Sequence, residues 1–209
     1  ELERARAELS AKAWGRLVSG AASAHRSIPA PYAIWSFNRG AEDLLGRVKT
    51  ELQGGAVLKD GALVLDGKGG FLRTGALPGT VGARTLEAWV SPENLQQRGG
   101  GVVTVETVNG HGFDSIVLGE REQGKWLAGS EFFKRTQQTA GEPEDALPGA
   151  VVHVAISYAA DGTVSVFRNG KRYGESYRKA DMQEYPAGEA RVLFGLRHTG
   201  AKNGYFAGK

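Results

Sequence analysis

The chain has 209 residues, 41% of them hydrophobic, and a formal net charge of +3. That is apolar content enough for a real core, and the basic residues are dispersed rather than clustered, which argues against a nucleic-acid partner. There is no cysteine, which excludes disulfides, thiolate zinc sites and a cysteine nucleophile, and no apolar run approaches the ~18 residues of a membrane span.

Residues 1–18 differ from the rest. Leu2, Ala5, Leu9, Ala13 and Leu17 recur at helical spacing among charged neighbours, and Glu8 and Lys12 form a favourable i,i+4 pair. One amphipathic helix is expected there, outside any sandwich core and suited to packing on a neighbouring domain. Residues 19–31 are small, polar and proline-bearing, which reads as a tether. The chain starts at Glu1 and its only methionine is Met182, so it reads as a piece of a longer protein. Two parts are expected: a helical extension over 1–31 and a β-domain over 32–209.

The 31 glycines are about twice the usual share of roughly 7% and fall singly or in pairs, as many short strands with many turns require. Ala33, Trp35 and Phe37 share one face of the first extended stretch. Residues 38–50 form a loop carrying Glu42 and Asp43. Strands over 56–58 and 62–65 flank Lys59, Asp60 and Gly61; a turn over 66–70 and a strand over 71–74 follow. In the next strand Leu86, Ala88 and Val90 alternate with Glu87 and Trp89, and Pro92 ends it. Trp35 and Trp89 are expected in the inter-sheet core. Further strands are expected over 102–108, 116–118 and 126–128, and residues 137–148 are an acidic loop.

Residues 151–174 are the clearest stretch. Val152, Val154, Ile156 and Tyr158 fall on one face of a strand, with His153, Ala155 and Ser157 on the other. Asp161 and Gly162 make a turn, Val164 and Val166 continue, and Asn169 followed by Gly170 is a strong hairpin signal. Such a meander must pack one face on something, so a second sheet is expected. Residues 191–195 form a strand and 205–208 begin another.

Several of these segments together resemble the laminin-G-like branch of the concanavalin A-like lectin and glucanase superfamily. The carriers are Trp35, Ser36 and Phe37; residues 63–67; residues 85–90; His153, Val154 and Ala155; residues 166–170; and Phe206, Ala207 and Gly208. The resemblance runs over residues 32–209 and implies an all-β, two-sheet antiparallel jelly roll, here with a helical extension at its N-terminus. Residues 120–122, Lys125 with Trp126, and residues 195–198 resemble a subset found in large secreted or periplasmic proteins of planctomycete-type bacteria. That implies a periplasmic or extracellular setting with neighbouring domains as partners. Two departures stand out: Val151 occupies a position usually aromatic, and the last strand reads as truncated at Lys209, without any cation ligand it would carry.

The catalytic branch of the superfamily carries Glu-x-Asp-x-x-Glu along one strand, where alternation brings the carboxylates together. That motif is absent. Glu120 and Glu122 come nearest, and they read as the tip of a hairpin. Non-catalytic binding is therefore implied, of a carbohydrate or of a neighbouring domain; the alternatives are a structural spacer and a glycoside hydrolase. A sugar site needs an aromatic platform and a few fixed polar groups. Trp126 with Arg121, Glu122 and Lys125 has that composition, and His111, Asp114, Arg197 and His198 add charged and aromatic side chains that strand formation does not explain. The arginines suit an acidic or sulfated glycan. No cofactor is expected beyond a structural calcium, for which Asp43 and Asp66 are the oxygen donors the resemblance allows; as plain turn residues they need no ion.

Overall fold

The computed structural model describes residues 29–201 and 203–209. The helix expected over residues 1–18 lies outside the described residues. The chain divides into two compact units, Glu1–Ile34 and Trp35–Lys209. The described residues of the first carry no helix or strand.

The second unit is an all-β sandwich. Its strands are β1 (Thr50–Gln53), β2 (Val57–Lys59), β3 (Ala62–Asp66), β4 (Phe71–Thr74), β5 (Arg84–Val90), β6 (Gly100–Thr107) and β7 (Phe113–Leu118). They continue with β8 (Trp126–Ser130), β9 (Val152–Tyr158), β10 (Thr163–Arg168), β11 (Lys171–Arg172), β12 (Tyr177–Arg178), β13 (Ala190–Phe194) and β14 (Ala207–Gly208). One sheet has the order β1-β4-β13-β6-β7-β8. A second runs β11-β10-β9-β5, with β12 also on β10, and a third runs β14-β3-β2. The second and third are stitched where Ser91 and Lys209 exchange backbone hydrogen bonds of 2.9 Å each.

The β9–β10–β11 meander forms where the turn signals stand. Asn169 and Gly170 both take positive φ, 49° and 74°, the geometry whose twist matches a tight hairpin. Val152, Val154, Ile156 and Tyr158 point inward and meet Ile116, Leu118, Trp126 and Ala128 from the six-stranded sheet. That shared layer is the core.

Strands β6, β7 and β8 are buried along nearly their whole length, so a second layer must cover their other face. Residues 195–201 and 203–206 supply it over β6 and the start of β7. The Thr104 hydroxyl lies 3.0 Å from the Leu196 carbonyl and 3.1 Å from that of Arg197. Gly101 is required here: a Cβ on it would fall 2.3 Å from the Arg197 Cα.

At one end of the core sits an ionic cluster. Asp114, fully buried, accepts from the guanidinium Nε of Arg135 at 2.8 Å, from the Tyr185 hydroxyl at 2.9 Å, and from Arg84. Arg84 lies between the Tyr158 and Tyr185 rings, 4.8 Å from each centroid. Arg135 in turn holds both carboxylate oxygens of Glu131. Burial pushes the Asp114 carboxyl above its ordinary value, opposed by the two guanidiniums and by the Tyr185 hydroxyl.

Two expectations are corrected. Trp89 is 59% exposed. Register pairs Trp89 with His153 and Ala88 with Val154, so Leu86, Ala88 and Val90 face the core while Trp89 has the opposite parity. Trp35 is half-buried, its ring edge-on to Phe194 at 4.9 Å, rather than sealed between the sheets.

Asp114→Asn leaves the desolvated Arg84 without a carboxylate and Arg135 with Glu131 alone, so it should cost about 3–5 kcal/mol. A urea-denaturation midpoint equal to that of the unsubstituted chain would show that the cluster does not hold the fold.

Candidate functional site

Four of the expected site residues come together. Arg121, Glu122, Lys125 and Trp126 line one cleft of about 410 Å³, with Gln138, Thr139 and Tyr173 among the other walls. Trp126 is only 1% exposed and its indole N–H donates to Glu144 at 2.7 Å. It cannot offer a ring face to a ligand, which corrects its role as platform. Burial pushes Glu144 up, but the Arg168 guanidinium, the Trp126 indole and the Ala146 amide outweigh that and hold the carboxyl below its ordinary value.

The other four do not line that cleft. Asp114 belongs to the buried ionic cluster and is not a ligand-binding residue. Arg197 pairs with Glu120 within the segment that covers β6. His198 stacks on Phe113, 4.3 Å between centroids and 10° between planes, and its Nδ1–H donates to the Gly110 carbonyl at 3.2 Å. Desolvation lowers the His198 pKa, which favours the neutral ring. His111 is exposed, its amide donating to Asn109 Oδ1 at 3.0 Å. Strand coverage therefore explains Arg197 and His198, whose charge and aromaticity read in the sequence as ligand chemistry.

Asp43 and Asp66 do not fit a calcium site. Asp43 is buried and accepts from the Leu45 and Arg47 amides. Asp66 accepts from Lys68, Gly69 and Gly70, and these amides lower its carboxyl to about 2. Asp43 accepts through both oxygens and Asp66 through Oδ1, each from amides of its own turn. Among the described residues no group of three or more His, Asp or Glu is placed to hold a metal.

The surface that sequence reasoning missed is the outer face of the β11-β10-β9-β5 sheet. Register arranges it in rows. Trp89 stands opposite His153, which exchanges hydrogen bonds with Asn169. Glu87 stands opposite Ala155, then Phe167, then Arg172. Thr85 stands opposite Ser157, then Ser165. The Trp89 and His153 rings lie 4.6 Å apart, and His153 Nε2 is 2.7 Å from Glu87 Oε1. Glu87 and Phe167 sit two strands apart with the small Ala155 between them, and Trp89 lies one row further along, so Trp89 and Phe167 are on a diagonal of about 12 Å by sheet spacing. The signal was available: residues 153, 155 and 157 share a parity, and Trp89 falls opposite it once the strands pair.

A second feature is local. Phe132 and Phe133 both take left-handed backbone, φ 48° and 56°, a conformation that costs a bulky side chain of order 1 kcal/mol or more. Phe132 is 90% exposed.

Residues 66–209 match the Laminin_G_3 family, described as the concanavalin A-like lectin/glucanases superfamily. No curated protein matches the chain. Among solved structures, a native heptameric SAP-like pentraxin from Limulus polyphemus is similar at TM-score 0.50 and 17% identity, over 78% of this chain and 72% of that one. The botulinum neurotoxin serotype D binding domain is similar at TM-score 0.52 and 11% identity, over 78% of this chain and 42% of that one. This chain thus spans less than half the length of the neurotoxin domain. At such identities the likeness is one of fold alone.

Three outcomes follow from this geometry. Trp89→Ala, at an exposed position, should shift stability by no more than about 0.5 kcal/mol, and a large drop in the melting midpoint would return Trp89 to the core. Phe132→Gly should raise stability by about 1 kcal/mol, because glycine adopts left-handed backbone freely; a lower midpoint would deny the strain. Glu144 has a folded value below its unfolded one, so its stabilisation is complete above about pH 4.3 and fades as pH falls further. Glu144→Gln should flatten that acid limb, and an unchanged stability–pH curve would contradict the assignment.

Proposed function

The chain belongs to the concanavalin A-like lectin/glucanases superfamily, and on that premise we propose that it is a non-catalytic carbohydrate-binding module whose ligand lies on the outer face of the β11-β10-β9-β5 sheet. One observation carries the reading: Trp89 is an exposed aromatic ring braced against His153, which is itself bonded to Glu87. A sugar ring offers an apolar C–H face for an aromatic surface and hydroxyls for fixed donors and acceptors. Trp89 and Phe167 supply the first; Glu87, His153, Asn169 and the hydroxyls of Thr85 and Ser157 supply the second.

The composition of the face favours a sugar over a protein partner. The core of a protein interface is rich in apolar contact, and these three rows contain no leucine, isoleucine or valine. The His153–Glu87 pair engages the one carboxylate in the rows, so no free carboxylate there repels a glycan, and Arg172 at the end of the second row lies over the Phe167 ring, 5.7 Å from its centroid. A glycosidase needs two carboxylates placed about a scissile bond. Glu120 is engaged by Arg197 and Glu122 by Lys125 at 2.6 Å, and Asp114 is sealed in the core. In this reading the module serves a larger secreted or periplasmic protein, as the resemblance of residues 120–122 and 195–198 implies.

A glycan array of the chain beside Trp89→Ala tests the proposal. Burying an aromatic ring contributes about 1.5–3 kcal/mol, so the best hit should weaken about tenfold or more in the variant. Equal binding by both proteins would remove this face as the site, and an array without hits would leave the module a structural spacer.

A further inference from the structure

The cleft beside β8 lies apart from the rows of the outer face and has a different chemistry. The turn over residues 119–125 forms one wall and the segment over 138–141 the other. Its volume of about 410 Å³ falls within the roughly 300–1,000 Å³ of small-ligand sites. That is room for one sugar unit, not for a folded partner.

The charges in it do not cancel. Glu122 is engaged twice, by the Lys125 ammonium at 2.6 Å and by the Gln138 amide. Arg121 forms no ion pair among the described residues. Its guanidinium lies over the Phe133 ring, 4.5 Å from the centroid, where the ring holds the cation without neutralising it. By contrast Arg84, Arg135, Arg168, Arg191 and Arg197 each hold a carboxylate. Phe133 is in turn fixed from below: its turn begins at Glu131, which the buried Arg135 grips through both oxygens. A guanidinium placed on a fixed ring at the mouth of a cleft is prepared for a planar or tetrahedral anion.

We propose that this cleft is a second, charge-selective site that binds the carboxylate or sulfate of an acidic sugar unit through Arg121, with the Gln138 side-chain amide, whose nitrogen is held by Glu122, leaving its carbonyl oxygen at the opposite wall as an acceptor for a ring hydroxyl. The inference rests on the carbohydrate reading above and extends it to anionic glycans at separate residues. Its affinity falls with added salt, because Arg121 is exposed and screened.

Affinity electrophoresis separates the possibilities. The chain, Trp89→Ala, Arg121→Ala and Lys59→Ala are run in gels holding polygalacturonate or κ-carrageenan, and in gels holding their neutral counterparts, the methyl ester and agarose. Polygalacturonate tests the carboxylate and κ-carrageenan the sulfate. The expected result is retardation by at least one acidic polymer that survives Trp89→Ala and Lys59→Ala and weakens about tenfold or more in Arg121→Ala. Retardation by neither acidic polymer overturns the proposal. Equal losses in Arg121→Ala and Lys59→Ala also overturn it, since they report only the net positive charge of the chain. Loss in Trp89→Ala alone places acidic glycans on the outer sheet face, which overturns the second site while supporting the first.

Discussion

The ion pair between Arg84 and Asp114 is the constraint on which the arrangement of this sandwich depends. A charge taken out of water is tolerated only when it is paired and hydrogen-bonded. Arg84 must therefore face inward to reach Asp114 across the core. Side chains alternate along a strand, so Leu86, Ala88 and Val90 follow Arg84 inward, and Thr85, Glu87 and Trp89 are turned out. A register slip of one residue would bury Glu87 and Trp89 and expose the arginine. The pair that looks purely structural thus decides which side chains of β5 a ligand can meet.

The same cluster reaches the other candidate site. Asp114 also holds Arg135, and Arg135 holds Glu131 at the head of the turn that carries Phe132 and Phe133. The strained backbone of that turn persists because its base is gripped by buried charges rather than by solvent-exposed contacts. Arg121 lies on the ring so presented. Two surfaces, the aromatic rows of the outer sheet face and the cleft beside β8, are positioned from a single buried network. The outer faces of the two sheets then diverge. Residues 195–201 lie over β6 and the start of β7, with Arg197, His198 and Thr199 bonded or stacked there, so those strands are covered. The outer face of β5, β9 and β10 keeps a tryptophan at the surface.

Much of the fold was legible in the sequence because it rests on local rules. Alternation in residues 152–158, the Asn169 and Gly170 turn, and the ordered run of short motifs all specify antiparallel strands, and the family match covers most of the same stretch. The candidate site was less legible because it depends on which strands become neighbours. Trp126 and Asp114 stand among charged residues in the sequence, yet both are on the inward parity of β7 and β8. His198 and Arg197 flank a turn, as ligand residues often do, and are taken up by Phe113 and Glu120. Trp89 shares the parity of Glu87 in the sequence, and its pairing with His153 fixes that parity as the outward one. Composition singles out Arg121, Glu122 and Lys125, and the structure places all three along the cleft beside β8.

The central claim is that ligand occupies the outer face of the β11-β10-β9-β5 sheet. It is tested most directly by titrating isotope-labelled protein with the best-binding neutral oligosaccharide while following backbone amide and indole N–H shifts. The account predicts that the largest shifts fall on the Trp89 indole and on the amides of Glu87, His153 and Phe167, with Thr104 and Val117 of the covered strands unmoved. Saturable binding whose shifts fall elsewhere, with Trp89 and His153 unchanged, would contradict it.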